Sequence, residues 1–286
     1  MGEKRTPAKC TNPECPNQRG VWQTLIHKPP RGVRLHNQWV CSPDCLHQVL
    51  VPFLSPLIES TRAKQTAQTH RFPLGLLLHS LGLVSKESLH SALAAQRETR
   101  EGRVGDWLLR QGAVTEAQIT QALAQQWSLP VYPLENWEQP SDCTRLLPFT
   151  LLDSFQMLPV HYLPASGLLY VAFSSKVDYT ALYAIEQMLD FHTQPCVVQE
   201  SHMDKVLKML HLQSHATGIP VAKALLASII ASATMQEVQR FGAREVRVVG
   251  CANNIWVRLR APAVVRDLLF HHARQDLIVL DERRPR

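Results

Sequence analysis

The sequence predicts an α+β chain of several small domains: a cysteine-rich N-terminal module, a helical tandem-repeat subdomain, a small α/β subdomain and a C-terminal α/β segment. Two observations carry this. Four of the seven cysteines fall within the first 45 residues, and two 24-residue stretches, 73–96 and 103–126, repeat one another. The boundaries read 1–61 for the module, 62–72 for a largely polar linker, 73–212 for a central domain whose α/β part starts near 140, and 218–286 for the last segment. A chain of 286 residues holds about two domains and a small third.

Composition sets the class. An apolar fraction of 45% and a charged fraction of 19% belong to a folded chain rather than a disordered one. No run approaches about eighteen consecutive apolar residues, so no membrane span is expected. The opening MGEKRTPAKC is basic but has no apolar stretch behind it, unlike a secretory signal, and a cytoplasmic protein is expected. In a reducing compartment seven cysteines read as one metal site plus three core thiols at Cys143, Cys196 and Cys251. The net charge is +6, and nine Lys/Arg against four Asp/Glu in residues 1–64 give the N-terminal end most of the excess. A basic end can meet nucleic acid, an acidic partner or an anionic surface.

Cys10, Cys15, Cys41 and Cys45 form C-x4-C, a 25-residue gap, then C-x3-C. Zinc takes four convergent soft ligands, and closely spaced pairs on tight turns supply two each. Asn12 and Pro13 lie in the first turn, and Ser42, Pro43 and Asp44 in the second. Between the pairs, GVWQTLIH and RGVRLHNQWV read as two strands, and LHQVLVPFL after Cys45 begins a helix. His27, His36 and His47 are alternative ligands that read better as surface residues. A hairpin followed by a helix resembles a treble-clef zinc module, with QWVCSPDC as its second knuckle.

In the repeat, Gly75 matches Gly105, Leu78 matches Leu108, Gly82 matches Gly112, Val84 matches Val114, Leu89 matches Ile119, and Gln96 matches Gln126. Each unit reads as helix, glycine stop, helix. Ser85 and Thr115 stand where the second helix needs its N-cap, with Gln118 completing a capping box. Leu89, Ala92, Leu93 and Ile119, Ala122, Leu123 follow the period of a buried helical face.

These paired units, ending in QQWSLPVYPL, resemble the N-terminal domain of the ATPases that power type II secretion and type IV pilus assembly. LLPFTLLDSFQMLPVHYLPASGLLYVAFSSKVDYTALYAIEQML continues the likeness as helix, strand, strand, helix, with Asp178 to Ala181 as a helix start. The resemblance implies a cyclic di-GMP site, because some members use such units to bind that nucleotide. Their motif is Arg-Leu-Gly, apolar positions, a Gly and a terminal Gln. Arg103, Val104, Gly105, Leu108, Gly112 and Gln126 fill it in the second unit, and Leu74, Gly75, Gly82 and Gln96 fill part of it in the first. Pro73 stands where the first arginine belongs, and the six-residue link between units is short for a nucleotide-binding member. An arginine fork can take a phosphate or a guanine edge, and glycine admits close backbone approach.

The family's motor needs G-x4-G-K-[ST], and no such string occurs in the chain. VAKALLASIIASATMQEVQRFGAREVRVVGCANNIWVRLR resembles the stretch before that motor, a helix and two strands, so the expectation is a member with the motor left off. No nucleophile elbow, HExxH helix or paired carboxylates appear, and His271 and His272, read as helical neighbours, point apart. No catalytic residue is assigned. Two functions stay open. One is a non-catalytic adaptor or regulator that docks to a secretion, pilus or signalling partner and senses cyclic di-GMP. The other is a zinc-containing DNA-binding transcriptional regulator, with Arg244, Arg247, Arg258 and Arg260 as a second basic patch of the kind usually seen on a solvated strand face.

Overall fold

A computed structural model describes residues 10–16, 32–63, 72–133, 142–213, 226–252, 254–262, 264–271 and 277–283. The GVWQTLIH segment, His27, His272 and residues 284–286 lie outside these residues. In chain order the elements are β1 (Val33–Leu35), β2 (Gln38–Val40), α1 (Pro43–Ala63), α2 (Leu74–Ser80), α3 (Lys86–Thr99), α4 (Val104–Arg110) and α5 (Glu116–Trp127). There follow a 3-10 turn (Asp142–Leu146), α6 (Phe149–Phe155), β3 (Met157–Leu163), β4 (Leu168–Phe173), α7 (Tyr179–Leu189), β5 (His192–Val197) and α8 (Glu200–Gln213). The last are α9 (Ala227–Phe241), β6 (Glu245–Cys251), β7 (Asn254–Arg260), β8 (Val265–His271) and β9 (Leu277–Arg283). The chain divides into two compact units: residues 1–66 with 187–189 and 215–286, and residues 67–186 with 190–214.

In the first unit the N-terminal module and the C-terminal segment share one sheet, ordered β2-β1-β6-β7-β8-β9. β1 pairs with β6 in parallel, Arg34 opposite Glu245 and Leu35 opposite Val246; the other pairs are antiparallel. Leu46, Leu50, Leu54 and Ile58 repeat every four residues along α1 and are buried with Ile230, Ala231 and Val238 of α9 and Val246, Val248, Ile255 and Val257 of the sheet. Residues 1–61 and 218–286, separate in the sequence reading, thus contribute to one core. A three-residue β1 and β2 cannot bury a face alone, and the β6–β9 meander gives them a partner.

Two local expectations change. RGVRLHNQWV is a hairpin rather than one strand: β1 and β2 turn at His36, whose φ is 50°. Leu268 to His271 belong to strand β8, not to a helix, because Leu268, Leu269 and Phe270 sit in register with β7. His272 lies outside the described residues, so the expectation for the His271–His272 pair stays one of the sequence.

In the second unit, α2 to α5 enclose a core of Leu78, Val84, Leu89, Ala92, Leu108, Val114 and Ala122. α6, β3, β4 and α7 follow in the expected order, and β5 and α8 complete a three-stranded sheet ordered β3-β4-β5. Asp178 caps α7, its carboxylate accepting from the amides of Thr180 (2.9 Å) and Ala181 (3.1 Å). After α5 the chain runs beside β5, with Tyr132 N–H donating to Val197 O (2.8 Å) and Val197 N–H to Pro130 O (2.9 Å). Cys143, Cys196 and Cys251 are buried. Among the described residues no helix is long and apolar enough to cross a membrane.

Candidate functional sites

The four N-terminal cysteines converge. The Sγ atoms of Cys10, Cys15, Cys41 and Cys45 all lie within 4.8 Å of one another, with Cys15 to Cys41 at 3.4 Å and Cys41 to Cys45 at 3.7 Å. Cys45 is the third residue of α1, so the second turn is also a helix start. Thr11 N–H donates to Trp39 O (2.9 Å), tying the first turn to β2, and Asn12 O accepts Cys15 N–H (3.2 Å) to close it. The sulfurs are supported from outside: Cys41 N–H donates to Cys10 Sγ (3.4 Å) and Asn12 Nδ2 to Cys45 Sγ (3.3 Å). Asn12 Nδ2 also donates to Gln48 (2.5 Å), fixing the amide's orientation.

The thiols are unequal. Burial raises Cys41, and bonds to Cys15, Cys10 and Cys45 add to it, reaching about 12. At Cys45 burial also pushes upward, but bonds from Asn12 and Ser42 outweigh it and bring it to about 7. The thiolate is the form that binds metal, and Cys45 is shifted towards it. Tetrahedral ligation at about 2.3 Å from the metal puts sulfurs about 3.8 Å apart; Cys41 to Cys45 is close to that at 3.7 Å, Cys15 to Cys41 is shorter at 3.4 Å, and no pair exceeds 4.8 Å. The cluster can hold a metal ion. His36 and His47 stand elsewhere: His36 Nε2 is 3.0 Å from Val248 O, and His47 Nε2 is 3.2 Å from Ser232 Oγ.

The tandem units end their first helices with the same pair of hydrogen bonds. Gly82 has φ 69° and Gly112 φ 66°. In unit one Gly82 N–H donates to His79 O and Leu83 N–H to Leu78 O; in unit two Gly112 N–H donates to Leu109 O and Ala113 N–H to Leu108 O. Both are Schellman endings. Ser85 Oγ accepts Ser88 N–H (3.1 Å), and Thr115 and Gln118 form the reciprocal box (3.3 and 2.8 Å). A Cβ at Gly75 would lie 2.7 Å from Leu89 Cδ1, and one at Gly105 would lie 3.4 Å from Ile119 Cδ1, so helix packing accounts for both glycines. Gln96 Nε2 donates to Gly102 O (2.9 Å) and Gln126 Nε2 to Phe72 O (2.5 Å), each tying the end of one unit to the start of the other.

Of the residues that the resemblance singles out, Leu74, Arg103, Val104 and Gly105 line one cleft of about 320 Å³. Leu78 and Leu108 are fully buried, Gly82 and Gly112 sit at turns, and Gly75, Gln96 and Gln126 serve packing and bonds between units. The cleft also takes in Glu116, Ser174, Lys176 and Glu200, residues without a sequence motif. Asp106 accepts Arg103 N–H (2.8 Å) and meets its guanidinium (3.3 Å). Burial works against the Arg103 charge, but Glu200 and Asp106 overcome it and hold its pKa above the usual value.

The expected solvated strand face is corrected at Arg258, while Arg244 and Arg260 are exposed. Arg258 is buried, and its Nε and Nη2 bond both oxygens of Asp267 (2.7 and 2.9 Å). Trp256 Nε1 donates to the same carboxylate (2.8 Å). Arg247 pairs with Glu245 (2.7 Å), and so does Arg260 (3.4 Å).

No family model matches the chain. The type IV pilus assembly ATPase PilB of Thermus thermophilus is 27% identical over 122 residues, 43% of this chain and 14% of PilB. A structure of MshE with cdg is 31% identical and covers 49% of this chain and 99% of that one, with a TM-score of 0.41. The N-terminal domain of XpsE is 18% identical over 49% of this chain and 97% of its own, with a TM-score of 0.36. Somewhat under half of the chain is thus similar in sequence to a type IV pilus assembly ATPase. The matched stretch spans only 14% of the PilB length.

Proposed function

We propose that this chain is a non-catalytic adaptor of a secretion or pilus-type assembly, working in the cytoplasm, whose second unit docks to a protein partner under the control of cyclic di-GMP. The observation that carries the nucleotide part is the cleft at the second tandem unit, where Arg103 presents a guanidinium beside Gly105, Leu74 and Lys176. An arginine fork and a nearby lysine suit a phosphodiester, and the apolar wall of Leu109, Ile119 and Leu123 suits a base. The adaptor part is supported by the 27% identity to the type IV pilus assembly ATPase PilB over 43% of this chain.

In the first unit, Cys10, Cys15, Cys41 and Cys45 hold zinc as a structural cross-link. Zinc supplies no reaction there: four sulfur ligands leave no open position for water. Support comes from the spacing of the sulfurs and from the bonds that Asn12 and the Cys41 amide make to them. The DNA-binding reading loses ground, since three of its four strand arginines are engaged by Asp267 and Glu245.

Calorimetry of the full chain with cyclic di-GMP tests the leading reading. Saturable heat is expected with the native chain and none with Arg103→Ala. No heat from the native chain at high micromolar ligand would sink the nucleotide assignment, while elemental analysis showing no zinc in the purified protein would remove the metal.

A further inference from the structure

Arg103 meets a second acid besides its own helix partner. Its Nη2 donates to Glu200 Oε1 at 2.6 Å and also contacts Oε2, so the carboxylate engages the guanidinium with both oxygens. A guanidinium offers a carboxylate and a phosphate the same face. Glu200 begins α8, and α8 is held at the cleft independently of Arg103. Glu116 of α5 accepts the Ser201 N–H (2.6 Å) and the Ser201 hydroxyl (2.7 Å), which fixes the residue next to Glu200. An acid is therefore positioned on the cationic group of the cleft by a bond that does not involve that group.

We propose that Glu200 is a built-in competitor: its carboxylate occupies the Arg103 guanidinium in place of a phosphate, and a phosphate-bearing ligand enters the cleft by displacing it. The inference rests on the nucleotide reading above and adds its regulation. Displacement is feasible because the pair is half hydrated, with side chains 51% and 46% exposed. Ion pairs of that exposure shift an equilibrium by about two- to fivefold. Asp106 stays on Arg103 through the exchange, since it also accepts the Arg103 amide and keeps the guanidinium aimed. The Glu116–Ser201 bonds hold α8 in place, so the ligand has one contact to break.

The test is calorimetry of the full chain with cyclic di-GMP, comparing native protein, Glu200→Gln and Glu200→Asp. Glu200→Gln keeps the size and removes the charge, and binding about two- to fivefold tighter than native is expected. Glu200→Asp keeps the charge and should bind no tighter than native, which separates loss of competition from loosening of α8. Native binding with an unchanged or weaker Glu200→Gln overturns the competitor alone. Silence from both the native chain and Glu200→Gln overturns the nucleotide reading and the competitor with it.

Discussion

In the first tandem unit Pro73 precedes the helix and Leu76 faces solvent; at the matching places of the second, Arg103 precedes the helix and Asp106 turns back to hold it. Further along, Lys86 of the first unit corresponds to Glu116 of the second, the residue that bonds Ser201. The backbones nevertheless end their helices with the same pair of hydrogen bonds and start the next with the same kind of cap. The leucines, glycines and caps therefore encode the helix pair, and the Arg103–Asp106 pair and Glu116 are particular to the second tandem unit. A matched residue in such a repeat is evidence of packing first. The residue that differs between the copies points to chemistry.

Parallel substitutions can break this equivalence. Leu78→Ala and Leu108→Ala each remove a fully buried side chain from the shared core, and each should cost about 2–5 kcal/mol in urea unfolding. The two values should agree within about 1 kcal/mol if the units carry equal weight. Gly82→Ala and Gly112→Ala come next. Nothing lies within 4 Å of the added Cβ at either place, so only the left-handed backbone resists, at about 1–2 kcal/mol each. Caps give the smallest effect: Thr115→Ala should lose about 0.5–2 kcal/mol, and Ser85→Ala less, because Gln118 answers Thr115 with a second bond that Ser85 does not receive. Thermal unfolding of matched variants would reveal any inequality.

How much was legible follows from range. The helix stops at Gly82 and Gly112, the caps at Ser85, Thr115 and Asp178, and the burial of Leu89 and Ala92 all depend on neighbours within four residues, and the sequence carries that information. The cysteine cluster was legible because its turns are short, although its two halves are brought together by β2. The hairpin at His36 escaped because no Asn-Gly or Asp-Gly marks it; its left-handed residue is a histidine. The pairing of β1 with β6 escaped because it joins opposite ends of the chain. Arg258 read as solvated on alternation alone, whereas Asp267 on the neighbouring strand had to be in register before burial made sense. In the cleft, Arg103 was visible as the residue packing left over, while Lys176 and Glu200 lie in later elements that no local pattern ties to it.

The decisive comparison is Arg103→Pro, which gives the second unit the residue that the first already carries at the equivalent position. Pro73 opens α2 without disturbing it, so the variant should fold with a melting temperature within a few degrees of native. Calorimetry with cyclic di-GMP on the full chain should then give saturable binding to the native protein and none to Arg103→Pro. Equal binding by the folded variant, or no binding by the native chain, would contradict the claim that the second unit alone carries the chemistry.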